Sequence, residues 1–406
     1  MIDIIFSNVG LWFNLLIPFA IGLYLVLNHK DYVLKEFAIQ VAVTLTFLFL
    51  MYLLLFSTTT DLVQKEFWNG KVSKFEYYEK WTEEVTYTEE ECSGSGDNRR
   101  CRTVTKTRNE YHSPYWQIIT TNGETISISK NKFDKASSEF GSIHHNIYRM
   151  NKVSFGDGNK YISTPNKVIP TAVPHKYTNY VIASKLNVVN EQVSEEELAP
   201  IIKSGKMRNY PSGYKGHYGE RKLRRIIDTT GFSNQTELLN KLDHSSASLG
   251  SYKQVNPIIY ITDQGRDFSR LLKAHWKGGK KNDVTLILGI DTDTKKIVWS
   301  DVITYTNNTD FIVDLQNNFI DMNISDSKGI ISKFNSLIAK GYKRKPMEEF
   351  SYLKENITLE WYWQLLVFVG NLILSFYLFM ILLEKEIPNP FKRFMKKNRF
   401  NNRRFR

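Results

Sequence analysis

The chain has 406 residues, a formal net charge of +12, two cysteines and 42 % hydrophobic residues. Its mean hydropathy is −0.34, so apolar length is confined to a few segments, too few for a typical transporter. The basic excess does not by itself indicate nucleic acid, because much of it sits in the last residues beside an apolar stretch.

Residues 9–27 and 37–56 carry no charged side chain, and neither do residues 361–383 near the other end. Each is about the 20 residues that a helix needs to cross a bilayer. Pro18 is expected to bend the first of these helices. The most polar members of the three are Asn14, Gln40, Gln364 and Asn371. With no ionisable group among them they predict helix–helix hydrogen bonds rather than an ion or proton path. Met1–Gly10 lacks a basic n-region, so the first span is expected to stay uncleaved.

Orientation follows from basic residues. The first eight residues hold Asp3 and no Lys or Arg, and the loop 28–36 holds Lys30 and Lys35. The tail 384–406 carries Lys392, Arg393, Lys396, Lys397, Arg399, Arg403, Arg404 and Arg406. The positive-inside rule puts loop and tail in the cytoplasm, and the N-terminus and the long middle block outside. Trp361, Tyr362 and Trp363 suit an interfacial belt at the outer edge of the last span. The tail, interleaved with Phe391, Phe394, Phe400 and Phe405, is expected to meet anionic lipid at the inner (cytoplasmic) membrane.

Between the spans, residues 57–190 read as a β-rich external module, a sandwich or open barrel. Short runs of Thr, Val, Tyr and Ile recur at 71–78, 116–121, 125–129, 152–155 and 180–186. Within it, residues 84–88 and 103–107 alternate like strands, and Ser93–Asn98 offers a flexible turn. Pairing Cys92 with Cys101 sets Glu91 opposite Arg102, Glu90 opposite Thr103 and Tyr87 opposite Lys106. A disulfide in an oxidising compartment is therefore expected; a zinc site using His112 would lack a fourth ligand.

Residues 191–355 change texture. Glu195-Glu196-Glu197 after Ser194 marks a helix start, and helical spacing predicts helices at 220–228, 235–242, 267–276, 311–322 and 326–339. Strands are expected at 257–262, 283–290 and 296–305, with a turn at Asp291–Lys295. The alternation implies a two- or three-layer α/β external module. The whole is expected to be an α+β membrane protein with three transmembrane helices and two external modules.

Candidate chemistry is thin. His144-His145 on a strand would face opposite ways, so they read as surface histidines. Phe155-Gly156-Asp157-Gly158-Asn159 reads as turn chemistry. Asp291 and Asp293 lack the later Gly and Glu of a calcium loop and should cap a turn. Gly278-Gly279-Lys280-Lys281 lacks the pattern of a phosphate loop. Asp263, Asp267, Asp283 and Asp301 are the residues that a catalytic reading would gather at strand ends. No metal and no cofactor are expected.

The stretch from Asn256–Thr262 through His275-Trp276-Lys277-Gly278-Gly279-Lys280-Lys281-Asn282-Asp283 to Leu288 resembles the TPM domain, over residues 250–340. In that family a helix ends in a glycine–lysine loop, followed by a hydrophobic strand and a second, paired strand. Trp299-Ser300-Asp301-Val302 stands where the family has glycines. Some members act as phosphatases and others assist assembly of membrane complexes. Phe67–Val72, Tyr111–Trp116 and His175–Tyr180 resemble uncharacterised three-span membrane proteins of bacteria and large tailed phages. The expected function is non-catalytic: an inner-membrane-anchored envelope protein whose external domain binds a protein or envelope component, not nucleic acid. The competing expectation is a membrane-tethered, metal-dependent phosphatase-like hydrolase using Asp263, Asp283 or Asp301.

Overall fold

The computed structural model describes residues 2–28, 34–94, 99–141, 143–145, 154–155, 158–184 and 193–384. The basic tail from Lys392 to Arg406, Lys30 of the first loop, Ser95–Asn98 of the expected turn, and Gly156 and Asp157 lie outside the described residues.

Helices α1 (Ile2–Ser7), α2 (Val9–Asn28) and α3 (Leu34–Thr59) come first, followed by β1 (Val63–Tyr78), β2 (Trp81–Ser93), β3 (Arg100–His112), β4 (Tyr115–Thr120) and β5 (Thr125–Ile128). Then follow α4 (Lys130–Phe140), β6 (Ile143–His145), β7 (Ser154–Phe155), β8 (Lys160–Ser163), β9 (Pro170–Thr178), α5 (Tyr180–Ala183) and α6 (Glu195–Lys203). Next are β10 (Gly213–Lys215), β11 (Arg221–Leu223), β12 (Ile226–Asp228), α7 (Gln235–Lys253), β13 (Asn256–Thr262), α8 (Phe268–His275) and β14 (Asp283–Ile290). The chain closes with β15 (Ile297–Thr304), α9 (Thr309–Asn317), α10 (Ser327–Gly341), a 3-10 turn (Met347–Asn356) and α11 (Trp361–Glu384). These elements fall into two compact units, one of Met1–Gln64, Thr178–Leu186 and Met347–Arg406, the other of Lys65–Tyr177 and Asn187–Pro346.

The first unit packs α2, α3 and α11 together. Lys35–Thr59 and Trp361–Ile381 are long and apolar enough to cross a membrane, and Val9–Tyr24 is a shorter apolar helix. Its exterior is apolar as well as its core, unlike that of a water-soluble bundle. Asn14, Gln40, Thr44, Asn371 and Ser375 are buried, whereas Trp12, Phe13, Leu16, Phe19, Ile373, Phe376 and Tyr377 are exposed. Water would drive those side chains inward, and a hydrocarbon solvent would not. Asn371 Nδ2 donates to the Asn14 backbone carbonyl on the facing helix at 2.7 Å, and Asn14 Nδ2 reaches the Tyr52 hydroxyl of α3 at 3.5 Å, so both side chains tie helices together as expected. Gln364 instead bonds locally, to the Leu359 carbonyl at 2.9 Å.

In the second unit, β1 is the centre of an antiparallel sheet ordered β5-β4-β1-β8-β6, with β9 also on β1. Among the described residues no second sheet closes it into a sandwich. The helix α4 covers it instead, with Phe133 and Ala136 joining Val72, Phe75 and Ile118 in one core. Residues 180–186 were expected as a strand. Asn179 caps a short helix there by accepting the Ile182 N–H at 3.2 Å.

A second sheet, ordered β12-β13-β14-β15, is parallel except for its β14–β15 hairpin. It is the middle of three layers. Ile259, Ile261, Leu286 and Leu288 face α7, α9 and α10 through Leu242, Phe311 and Phe334. Ile258, Tyr260 and Ile287 face α8 and its neighbours through Phe268, Leu272 and Trp276. Strands buried on both faces are what a parallel sheet requires. The helix expected at 220–228 is replaced by β11 and β12. Its apolar spacing suits a helix, but Ile226–Asp228 gains more by pairing with Ile259–Ile261 at the sheet edge. The helix expected to end at Leu242 runs on to Lys253, because nothing breaks it before Gln254 turns left-handed at φ 54°. At Gly250 the helix touches β1: a Cβ there would sit 2.2 Å from the Asn69 carbonyl oxygen.

Candidate functional site

The aspartates of the catalytic reading do not assemble. In the parallel pair β13–β14, Asn256 lies beside Asp283 and Thr262 beside Gly289. Asp263, just past the end of β13, and Asp283, at the start of β14, therefore occupy opposite ends of the sheet. Asp301 is mid-strand, opposite Ile287. Each has its own partners. Asp263 takes Lys206 at 2.5 Å and Gln264 at 2.8 Å, Asp267 pairs with Arg270 at 2.9 Å, and Asp301 accepts from Ser269 at 2.5 Å and Gln316 at 2.8 Å. Burial alone would raise the Asp263 carboxyl, but Lys206 and Gln264 together outweigh it and hold it below the ordinary range. Among the described residues no group of three or more His, Cys, Asp or Glu could hold a metal ion.

Asp283 anchors a buried polar cluster at the N-terminal edge of the parallel strands. Its carboxylate accepts from Asn256 Nδ2 at 2.8 Å, the Tyr210 hydroxyl at 3.0 Å and the Lys280 backbone N–H at 2.6 Å. Gly278 and Gly279 adopt positive φ, and a Cβ on Gly279 would lie 2.9 Å from Asp283 Oδ2. The glycine–lysine loop thus cradles the chain's own carboxylate, which occupies the place an anion would take. Burial lifts the Asp283 carboxyl to about 6, against the pull of those donors. Burial and the Asp283 charge push the Tyr210 hydroxyl well up.

Beside it Arg225, fully buried, bonds Asp243 at 2.9 Å, Asn256 at 2.8 Å and Asn69 of β1. Burial depresses the guanidinium and raises the Asp243 carboxyl, although the two still attract each other. Glu66 of β1 likewise meets Arg344, with Lys281 at 3.6 Å, and Arg344 lies over Trp68, which stacks on His175. These groups lock the antiparallel sheet to the α/β layers within one unit. Catalytic ends of α/β sheets lie at the carboxyl ends of the strands; this cluster is at the other edge.

The β2–β3 ribbon is largely exposed. Its register pairs Cys92 with Cys101, Glu91 with Arg102, Glu90 with Thr103 and Tyr87 with Lys106, as the sequence pattern predicts. The two cysteines form a disulfide. His112 stands at the other end, paired with Trp81 and stacked on it at 4.1 Å, which removes it as a co-ligand of the cysteines. Thirteen residues per strand span roughly 40 Å. Partners in register share a face, so alternation divides the ribbon sharply. One face carries Glu83, Glu89, Glu91, Arg102, Lys106, Arg108 and Glu110, and these largely neutralise each other: Lys106 reaches Glu89 and Glu91 at 2.9 Å, Arg102 reaches Glu91 at 3.4 Å, and Arg108 reaches Glu110 at 2.5 Å. The opposite face carries Thr82, Thr86, Thr88, Thr103, Thr105 and Thr107 together with Glu84 and Glu90, and in it Thr86 pairs Thr107 and Thr88 pairs Thr105. Of these all but Thr82 and Glu84 are exposed. Among the described residues β7 touches β2 at Thr82 and Glu83 alone, and β3 pairs with β2 alone. The threonine face was legible in the alternation, but only once the register is fixed does it emerge as one surface.

Of the remaining candidates, Asp291 accepts the Asp293 N–H at 2.9 Å and the Thr294 hydroxyl at 2.9 Å, a turn cap as expected. His144 and His145 pair with Tyr161 and Lys160. No family model, curated protein or solved structure matches the chain.

Proposed function

We propose that this is a three-span protein of the inner (cytoplasmic) membrane that holds another envelope protein with its disulfide-closed ribbon. In this reading α2, α3 and α11 cross the bilayer, the N-terminus and the second unit lie outside, and the basic tail meets anionic lipid in the cytoplasm. The observation that carries it is the ribbon's division into a self-neutralised charged face and an exposed threonine face. A two-stranded ribbon is marginal in water by itself, so 13-residue strands closed by a disulfide are a costly structure to present to solvent unless something covers them. The partner that fits is a protein offering a flat hydrogen-bonding surface with basic groups for Glu84 and Glu90, because the charges of the other face largely find partners within the ribbon. The apolar exterior of the first unit supports the membrane reading. Kinship with TPM domains remains part of the proposal. It draws support from the helix, glycine–lysine loop, β14 and antiparallel β15 occurring in the family's order. The hydrolase alternative draws none from aspartates that stand apart.

Two measurements test this. A membrane-impermeant maleimide on intact cells should label Cys92 and Cys101 only after reduction; labelling only after lysis would put the unit in the cytoplasm. A photo-crosslinking amino acid at Thr88 or Thr105 should give one discrete protein adduct that the same residue at exposed Tyr252 does not. Identical adduct patterns from all three positions would remove the ribbon as the binding element.

A further inference from the structure

The chain enters the second unit at Lys65, leaves it after Tyr177, re-enters at Asn187 and leaves for the last time after Pro346. At three of those passages the side chains beside the crossing touch one another. Glu66 and Trp68 share one face of β1, and His175 and Tyr177 share one face of β9. Arg344, in the strap between α10 and the 3-10 turn, pairs with Glu66 and lies over the Trp68 ring at 5.1 Å. Trp68 in turn stacks on His175, with ring centres 3.5 Å apart. Lys281 completes the ring of contacts, 3.6 Å from Glu66 and 4.7 Å over the Tyr177 ring.

This arrangement suits a neutral imidazole. Among the described residues Trp68 Nε1, His175 Nε2 and Arg344 Nε are buried without a hydrogen-bond partner. An imidazolium carries an N–H on both nitrogens, so protonation buries a donor without an acceptor and sets a second cation beside Arg344. Arg344 is the charge that acts on the ring; Lys281 stands behind it, joined through Glu66, and Lys176 on β9 itself is exposed. Glu66 Oε2 is also unpartnered, but Arg344 and Lys281 already hold that carboxylate. Burial, and after it Arg344, keep the His175 ring below the ordinary histidine range.

We propose that His175 is a pH-operated latch on the strap 342–346: neutral, it holds Trp68 against Arg344 and ties the three passages together; protonated in mild acid, it parts from them and frees the strap. The latch stands whether or not the first unit crosses a bilayer. A histidine held below its ordinary range stabilises the closed form above the unfolded value of about 6.5, and that contribution is lost as pH falls. The raised Asp283 carboxyl acts in the opposite sense, so the two are separable.

Hydrogen exchange on the intact chain in detergent reads the latch, when expressed as protection factors so that the pH dependence of the chemical step cancels. Between about pH 7 and about pH 5, segments 66–69, 172–177 and 342–345 should lose about tenfold in protection, the equivalent of one pKa unit. Ile259, Leu286 and Leu288 should keep theirs. His175→Phe, which keeps a ring against Trp68 but takes no proton, should hold its protection at both pH values. His175→Gln, uncharged at both, gives the same reading if the phenylalanine variant does not fold. Unchanged protection in the parent, or an equal acid loss in the parent and these variants, would overturn the latch. A gain of protection in acid would overturn it too, because the protonated ring would then have found Glu66. Loss of core protection together with the strap would show general unfolding in place of a latch.

Discussion

The cluster around Asp283 and Arg225 and the β2–β3 ribbon are both dense in polar and charged residues, yet they do opposite things. In the cluster the polar side chains are turned inward and bonded across elements far apart in sequence: Asn69, Arg225, Asp243, Asn256 and Asp283 are all buried, and of their polar atoms Asn69 Nδ2 and Asp243 Oδ2 are left without a partner. In the ribbon the matching is local, strand to strand, and one whole face is left to solvent. Polar density therefore does not mark a working surface. What marks it is whether the hydrogen-bonding capacity is used up inside the fold. By that criterion the aspartates that look most chemical in the sequence are tied into the fold, and the ribbon's threonines stay open to solvent.

The largest expected effect comes from opening the cluster. Arg225→Ala leaves Asp243 buried and uncompensated and should cost about 3–5 kcal/mol, read as loss of the unfolding midpoint of the intact chain in detergent. Arg225→Met with Asp243→Leu removes both charges and should recover most of that loss. A single variant as stable as the parent would show that the cluster is not the lock between the two sheets. Next comes Asp283. Its folded-state carboxyl is raised to about 6 by burial, so the folded chain binds that proton more tightly than the unfolded one. Its contribution is fully present below the unfolded value of about 3.9 and is lost as pH climbs through about 6, on the order of 3 kcal/mol. Asp283→Asn carries no charge at either pH, so the fall in stability across that window should flatten relative to the parent. A variant with the parent's slope would assign the pH dependence elsewhere. Gly250→Ala is smaller, about 1–3 kcal/mol, because its methyl would meet the Asn69 backbone and the two chains must part.

These three sites also show what the sequence could and could not reveal. The ribbon was legible because its signals are local: alternation, a flexible turn, and two cysteines whose pairing fixes every other pair. Strand β14 was legible for the same reason, as eight residues from Asp283 to Ile290 bounded by a glycine loop and an aspartate turn. Arg225 was not. It sits between two three-residue strands in a stretch with helical spacing, and its partners lie as far away as Asn69. The role of Gly250 was hidden likewise, since a glycine in a helix announces a close approach but not to what. Asp283 was singled out for its place at a strand end, and there it is a buried group bonded to Asn256 and Tyr210. Which end of the strand it occupied relative to Asp263 depends on the parallel pairing of β13 with β14, a long-range fact.

The smallest effect on global stability should come from the ribbon, and it sharpens the comparison most. Cys92 and Cys101 are exposed, and the bridge closes only the tip. Removing it should release conformational freedom locally, since the loop it closes is short and the ribbon buries little against the rest of its sheet. With Cys92→Ser and Cys101→Ser together, amides from Thr86 to Thr107 should exchange much faster, while those of Ile259, Leu286 and Leu288 keep their protection. The global unfolding midpoint should move by less than about 0.5 kcal/mol. Crosslinking through Thr88 or Thr105 should nonetheless fall, because a frayed ribbon no longer presents its threonines on one plane. If protection of the core fell together with that of the ribbon, the two regions would form one cooperative structure. The threonine face would then be a by-product of folding rather than a surface kept apart for a partner.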